Sequence, residues 1–205
     1  MGKRVAKSKP TWADMKNKLA GFDRAALLNV LQDLYAADDD NRAFLHARFG
    51  LGEDPLMVYK ETIDRWLWPD AFQGQKTSVS KAKKAISLFR NALGDQVGVA
   101  ELLVFYCERA AGFCQKVDHR DAAYLDALVR AFKQALHVAG KLPGNLQNGF
   151  LVRLDRVRCI GRQLGNGVGG DMDILLSEFD LSATPGLIQR NRKLSACRAR
   201  ILLRP

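Results

Sequence analysis

The stretch Gly165-Asn166-Gly167-Val168-Gly169-Gly170 has the spacing G-x-G-x-x-G, which in dinucleotide-binding folds lets the backbone approach a pyrophosphate. That fingerprint requires a strand before the glycines and an acid about 20 residues after them. Here an arginine-rich helical pattern precedes the glycines, so the sequence favours a turn with positive φ angles and a following helix capped by Asp171. Exposed N–H groups at that helix start could still hold a phosphate.

Two polar clusters could be interpreted as cation sites. Asp118-His119-Arg120-Asp121 combines a histidine with two carboxylates, and Asp38–Asp40 places three carboxylates in a row. Neither cluster has the ligand spacing of a zinc or calcium site. The first therefore predicts a turn with helix caps, and the second predicts a helix N-terminus, where the helix dipole favours acids.

Motifs of enzyme active sites are not evident in the sequence. It contains no serine nucleophile elbow, no H-E-x-x-H and no P-loop. Cys107, Cys114, Cys159 and Cys197 form no C-x-x-C pair, so we expect reduced thiols, the first three of them buried, in a cytoplasmic protein. We expect no metal, no cofactor and no catalytic activity.

Glu108 lies within Val97–Cys114, the most apolar segment of the chain. A carboxylate in such a segment either has a pKa raised by burial or forms an ion pair with a Lys or Arg of a neighbouring helix. The ion pair is the more common arrangement, and it would give Glu108 a structural role.

Basic residues form two clusters that could bind phosphate groups. The segment between Asp70 and Asp95 contains five cations and no acid, and a later helical segment contains four arginines against a single acid, Asp155. The cations that we assign to nucleic-acid binding in these two segments are Lys81, Lys83, Lys84 and Arg90, then Arg153, Arg156, Arg158 and Arg162. One basic helix face usually serves solubility, but two such helices favour a footprint on a phosphate backbone.

The two ends of the chain carry all of its net charge. Residues 1–10 contain four cations and residues 181–205 contain six, with no acid in either segment, and together they equal the net charge of +10. The residues between them hold 22 basic and 22 acidic side chains. Basic terminal segments typically seek polyanions, so we add Arg190, Arg192, Lys193, Arg198 and Arg200 to the predicted binding residues.

Three aromatic residues, Tyr59, Trp66 and Trp68, could form a stacking surface for bases. Tyr59 and Trp66 fall on the apolar stripe of their helix, which predicts core packing. Trp68 points elsewhere and is the aromatic residue that could stack on a base.

The elements that must position these side chains are predicted to be helices. Apolar residues recur at helical spacing almost throughout, and no segment alternates long enough to predict a strand. We expect an all-α protein, a compact stack of eight or nine helices of the helical-repeat kind. It would comprise a basic arm (residues 1–10), a helical domain (11–180) and a second basic arm (181–205). The longest apolar run, Leu102–Cys107, is too short to cross a bilayer, and no signal-peptide pattern is present.

Several segments together resemble a group of bacterial helical proteins. These segments are Leu27–Tyr35 with Phe44-Leu45, Tyr59-Lys60 through Ile63 to Pro69, Lys81–Ile86 with Phe89, Glu101–Glu108 and Gly165–Asp171. In this order the chain resembles the family catalogued as domain-of-unknown-function family 6155 over roughly residues 15–180. The resemblance implies a compact all-helical fold and no assigned activity. Both basic arms depart from the usual extent of the family.

Two functions from different classes follow from these patterns. The first is a non-enzymatic helical module that binds DNA or RNA through phosphate contacts, without strong sequence readout, because no sequence-reading motif is present. The second is a protein–protein adaptor whose helical stack offers a groove to a partner.

Overall fold

The computed structural model describes residues 9–52, 54–69 and 75–182, and these ranges contain nine helices and no strand. The helices are α1 (Trp12–Leu19), α2 (Arg24–Ala37), α3 (Asp39–Phe49), α4 (Met57–Leu67), α5 (Val79–Leu93), α6 (Gln96–Val117), α7 (Ala122–Ala139), α8 (Gly144–Leu164) and α9 (Val168–Ser182). The predicted all-α class and the compact packing of the helices are confirmed. Residues 1–8 and 183–205, which hold most of both predicted arms, lie outside the described ranges.

Local capping residues define most helix starts, as the sequence predicts. Thr11 and Asp14 form a capping box at α1, and the side chains of Asp23 and Ser78 accept backbone N–H groups at α2 and α5. Gly50 ends α3 with a φ of 63°, a conformation that glycine adopts without steric cost. The prediction for the start of the last helix was wrong by four residues, because a cap at Asp171 places the first helical residue at 172, whereas α9 begins at Val168 and has Asp171 within its first turn.

The helices form two layers, and from α4 onward each helix packs on the next one. Helices α4, α6 and α8 form one contiguous layer. In the other layer α3 packs on α5, and α7 packs on α9. This pattern is typical of stacked helical hairpins. Because consecutive helices reverse direction at short turns, α5 and α7 run in about the same direction, yet they do not pack closely on each other.

Helix α6 is the centre of the core, as its apolar sequence predicts. It contacts helices of both layers, and residues such as Val99, Leu103 and Tyr106 are buried along its whole length. On α5 the helical spacing of Ala82, Ala85, Ile86, Phe89 and Leu93 predicts one apolar stripe; the first four are buried, whereas Leu93 at the end of the helix is exposed. By contrast, α1 and α2 contain no buried residue. Within the described ranges, none of the helices is both long and apolar enough to span a bilayer.

Glycines of the G-x-G-x-x-G stretch make the turn between α8 and α9. Gly165, Asn166 and Gly167 have φ angles of 79°, 50° and 76°, so the chain reverses through three consecutive left-handed residues. Gly169 lies inside α9, where an added Cβ would sit 2.5 Å from the Cα of Arg162. The motif therefore serves a tight turn and a close helix–helix contact.

Candidate functional site

Arg153 of α8 is held by two carboxylates of α6. Its guanidinium donates to Glu108 at 2.8 and 2.7 Å, and it also binds Glu101, which accepts from Lys60 of α4 at 2.8 Å. The hydrogen bonds that Arg153 donates to Glu108 raise the pKa of Arg153. Burial alone would raise the pKa of Glu101, but the bonds and charges of Arg153 and Lys60 outweigh it and hold that pKa below its usual value. The network ties three helices together, and it shows the ion pair that the sequence suggested for Glu108.

Two further arginines of α8 are paired with acids near them. Arg158 binds Asp155 at 2.7 Å and Asp173 of α9 at 2.6 Å, and Arg162 binds Asp173 at 2.9 Å. Arg158 is mostly covered, since its side chain is 12% exposed. Arg156 is exposed and has no ion pair with a described residue. The predicted cluster on α8 is therefore largely neutralised within the fold.

The four predicted cations of α5 separate into two groups. Lys84 lies 2.7 Å from Asp40 of α3, and the ammonium group of Lys81 lies 3.8 Å from the ring centroid of Trp66. Lys83 and Arg90 lie seven residues apart, which places them on another side of α5. Neither has an ion pair with a carboxylate among the described residues.

A groove of about 380 Å³ lies between α5 and α7, where the two helices fail to pack. It is lined by Arg90 from α5 and by Lys133, Gln134, His137 and Val138 from α7. Lys133 and His137 are exposed, and no described carboxylate pairs with either. Lys83 of α5 and Arg130 of α7 lie one to two helical turns before these residues on their helices. We call the groove together with Lys83 and Arg130 the α5–α7 groove.

Charged groups along the α5–α7 groove lie close enough to change the pKa values of their neighbours. Burial and the nearby charge of Arg130 lower the pKa of Lys83. The charge of Arg130 also opposes the rise in pKa that burial causes at Tyr106 of α6, whose buried hydroxyl has no hydrogen-bond partner. Arg130 has one weak partner, Asp126 at 4.0 Å, and both side chains are exposed. The groove therefore presents four cations and a histidine against a single carboxylate, which favours an anionic ligand.

The aromatic residues of α4 do not form an open stacking surface. Tyr59 is buried, as predicted. Trp68, which the sequence suggested for base stacking, is half-buried; the guanidinium of Arg109 lies 4.1 Å from its ring centroid and Phe113 lies against its edge. A base would have to displace these groups.

The polar cluster at Asp118 acts as a turn and cap. Arg120 donates to the carboxylate of Asp118 at 2.7 Å and to the carbonyl oxygen of Leu164 at the end of α8, while Asp121 caps α7. No group of three or more potential metal ligands occurs in the described part of the chain. Cys107 and Cys114 are buried as predicted, and Cys159 is only partly covered.

The structure brings together groups that the sequence analysis did not combine. Lys83 and Arg90 were predicted, but Arg130, Lys133 and His137 were not assigned to binding. A signal for them exists in the sequence, because these three residues recur at i, i+3 and i+7 along the outer side of α7. The predicted residues Arg190, Arg192, Lys193, Arg198 and Arg200 lie outside the described residues.

Comparison of the chain with known protein families, with curated proteins and with solved structures returns no match. The resemblance noted in the sequence thus stays a prediction.

Proposed function

We propose that this protein binds nucleic acid through phosphate contacts at the α5–α7 groove, without base-specific readout. The observation that carries the proposal is the convergence of Lys83, Arg90 and Lys133 on one surface with no carboxylate partner among the described residues. By contrast, Arg153 and Arg158 of α8 are paired with carboxylates within the fold. Unmatched cations that repel one another gain most from a polyanion.

The dimensions of the groove suit a phosphate backbone. Lys83 and Arg90 are separated by seven residues of helix, about 10 Å. Arg130 and His137 have the same separation on α7. Since Arg130 lies near Lys83, and His137 lines the groove with Arg90, the pair on α5 and the pair on α7 form two rows that run alongside one another. This length corresponds to the rise of about three nucleotides in one strand. The basic terminal segments would add contacts on either side of this short footprint.

A salt series tests the proposal. Binding of the full chain to random-sequence DNA and RNA should weaken by orders of magnitude between about 50 and 200 mM salt. The double variant Arg90→Gln/Lys133→Gln should bind about tenfold more weakly at low salt, with a salt slope reduced by about 2. A matched control, Lys18→Gln/Arg65→Gln, removes two exposed cations outside the groove and should change neither quantity by as much.

The terminal segments are tested in the same assay. Replacing Arg190, Arg192, Lys193, Arg198 and Arg200 by Gln in the full chain should lower the slope further. An affinity that does not change with salt concentration would contradict the proposal. Equal losses of affinity in the groove variant and in its control would contradict it as well.

A second candidate, a protein–protein adaptor, is favoured by a cleft between α3 and α4. This cleft has a volume of about 390 Å³, and its lining includes Ala47, Leu51, Met57 and Val58. Half-exposed apolar side chains in a cleft are typical of a peptide-binding site. A protein that co-purifies with the wild type but not with Val58→Asp, together with no binding to nucleic acid, would favour this function.

A further inference from the structure

Helix α2 presents an apolar stripe that the described part of the chain covers only in part, at Tyr35, whose hydroxyl lies 2.9 Å from Nε2 of His46 in α3. Its large side chains are between 39% and 54% exposed: Leu27, Leu28, Leu31, Leu34 and Tyr35. The helix packs on α3, and its half-covered residues, Ala26 and Val30, lie one turn apart. We call the five exposed residues the α2 stripe. Soluble proteins rarely leave such a continuous row uncovered.

The α2 stripe is symmetric about Leu31. Leu28 and Leu34 lie three residues on either side of it, and Leu27 and Tyr35 lie four residues on either side. Two antiparallel copies of this helix would therefore bring Leu31 against Leu31 and Leu28 against Leu34. In a dimer with a two-fold axis both copies use the same surface, so that surface must be complementary to itself.

One pair of charges at the ends of the stripe, Arg24 and Asp38, has the same symmetry with opposite signs. Arg24 begins α2, seven residues before Leu31, and Asp38 follows its last residue, seven residues after Leu31. Neither side chain has an ion-pair partner among the described residues. An antiparallel pair would bring Arg24 of one copy close to Asp38 of the other. It would also bring that cation near the negative end of the opposite helix dipole.

We propose that two copies of this chain associate through antiparallel α2 helices, with Leu31 on the two-fold axis. The stripe supplies a few hundred Å² per copy, on the order of the largest apolar patch of a monomer. The neighbouring N-terminal residues Trp12, Met15 and Phe22 are exposed as well. A stable interface buries roughly 800 Å² per partner, so residues outside the stripe would have to contribute to it as well. This proposal uses a different surface from the α5–α7 groove and is independent of it.

Sedimentation of the full chain at concentrations from about 1 to about 100 µM tests the association. The wild type should form a dimer. Leu31→Asp should weaken the dimer at least tenfold, because two carboxylates would meet on the axis. Ile174→Asp, a matched change at another exposed apolar residue, should leave it intact. A wild type that stays monomeric throughout, or a dimer that is unaffected by Leu31→Asp, overturns the proposal.

Two further variants test the register. Arg24→Glu should weaken the dimer by placing like charges beside Asp38, and it alters no buried residue. Under mild oxidation Leu31→Cys should form a disulfide-linked dimer, whereas Leu34→Cys should not, since its two copies would lie about 9 Å apart along the helices. Equal cross-linking at both positions indicates another arrangement and contradicts the antiparallel dimer. Circular dichroism confirms that each variant is folded.

Discussion

Arg153 of α8 binds Glu108 of α6 in a bidentate arrangement, through Nε at 2.8 Å and Nη2 at 2.7 Å. The same guanidinium binds Glu101, and Glu101 binds Lys60. An arginine that is paired in this way stabilises the contact between helices, and it is a poor candidate for binding an external phosphate.

We expect Arg153→Met to destabilise the protein by about 1–3 kcal/mol, because two partly buried carboxylates lose their partner. Urea unfolding measures the loss. Arg156→Met, on an exposed residue of the same helix, should change stability by less than about 0.5 kcal/mol. The affinity of folded Arg153→Met for DNA should equal that of the wild type. A stable variant with weakened DNA binding would show that Arg153 contacts the ligand.

Stability should decrease in acid because of Glu101. Its pKa is lower in the folded protein than its usual value of 4.5, so the folded state favours the ionised form. This contribution is complete above the usual pKa and is lost as the pH falls through the lowered pKa. Thermal unfolding between about pH 3 and pH 7 measures the dependence. The stability of Arg153→Met should depend less on pH than that of the wild type. Some dependence should remain, because the pKa of Asp173 is also lowered: burial would raise it, but the bonds to Arg158 and Arg162 outweigh burial.

Lys83→Met should stabilise the protein and weaken its binding to nucleic acid. Burial and the charge of Arg130 lower the pKa of Lys83, which means that its charged form is disfavoured in the folded state. Removing that charge should raise stability by no more than a few tenths of a kcal/mol, because solvent screens charges at a partly exposed side chain, and a small shift in urea midpoint measures it. In the binding assay the salt slope should decrease by about 1. A destabilised variant with unchanged affinity would contradict both the repulsion and the role of the groove.

The two adjacent glycines of α9 should respond in opposite ways to alanine. At Gly169 a Cβ would collide with the backbone of Arg162, which cannot move independently of α8, so Gly169→Ala should cost about 1–3 kcal/mol. At Gly170 nothing lies within 4 Å of the added Cβ. Gly170→Ala should therefore be neutral or stabilise the protein by up to about 1 kcal/mol. Thermal unfolding of the two variants compares them directly. Similar effects at both positions would show that α8 and α9 do not approach each other as closely as described.

Helix positions could be predicted from the sequence because their determinants are local. The capping box at Thr11, the cap at Ser78 and the buried stripe of α5 each depend on residues within a few positions of one another. The start of α9 was missed by four residues, since Gly169 and Gly170 of its first turn have low helix propensity. The close approach of Gly169 to Arg162 is a tertiary contact that local sequence does not reveal.

The candidate site was predicted only in part, because the partner of a charged side chain is not a local property. Arg153 meets Glu108 across 45 positions, and Lys84 meets Asp40 across 44. Only the packing of helices decides which cations find such partners. Lys83 and Arg90 did not find them, and the gap between α5 and α7 added Lys133 and His137 to their surface.

The sequence by itself determined that this protein is all-helical, where its helices begin and end to within a few residues, and which face of each is apolar. Only the tertiary structure decided that α6 is covered from both layers, that the stripe of α2 is largely exposed, and that three of the four arginines of α8 are paired with carboxylates. The physical reason is the distance along the chain over which each kind of interaction acts. Hydrogen bonding and periodic burial act within one helical turn, whereas burial of a face and pairing of a charge depend on what distant segments place beside it.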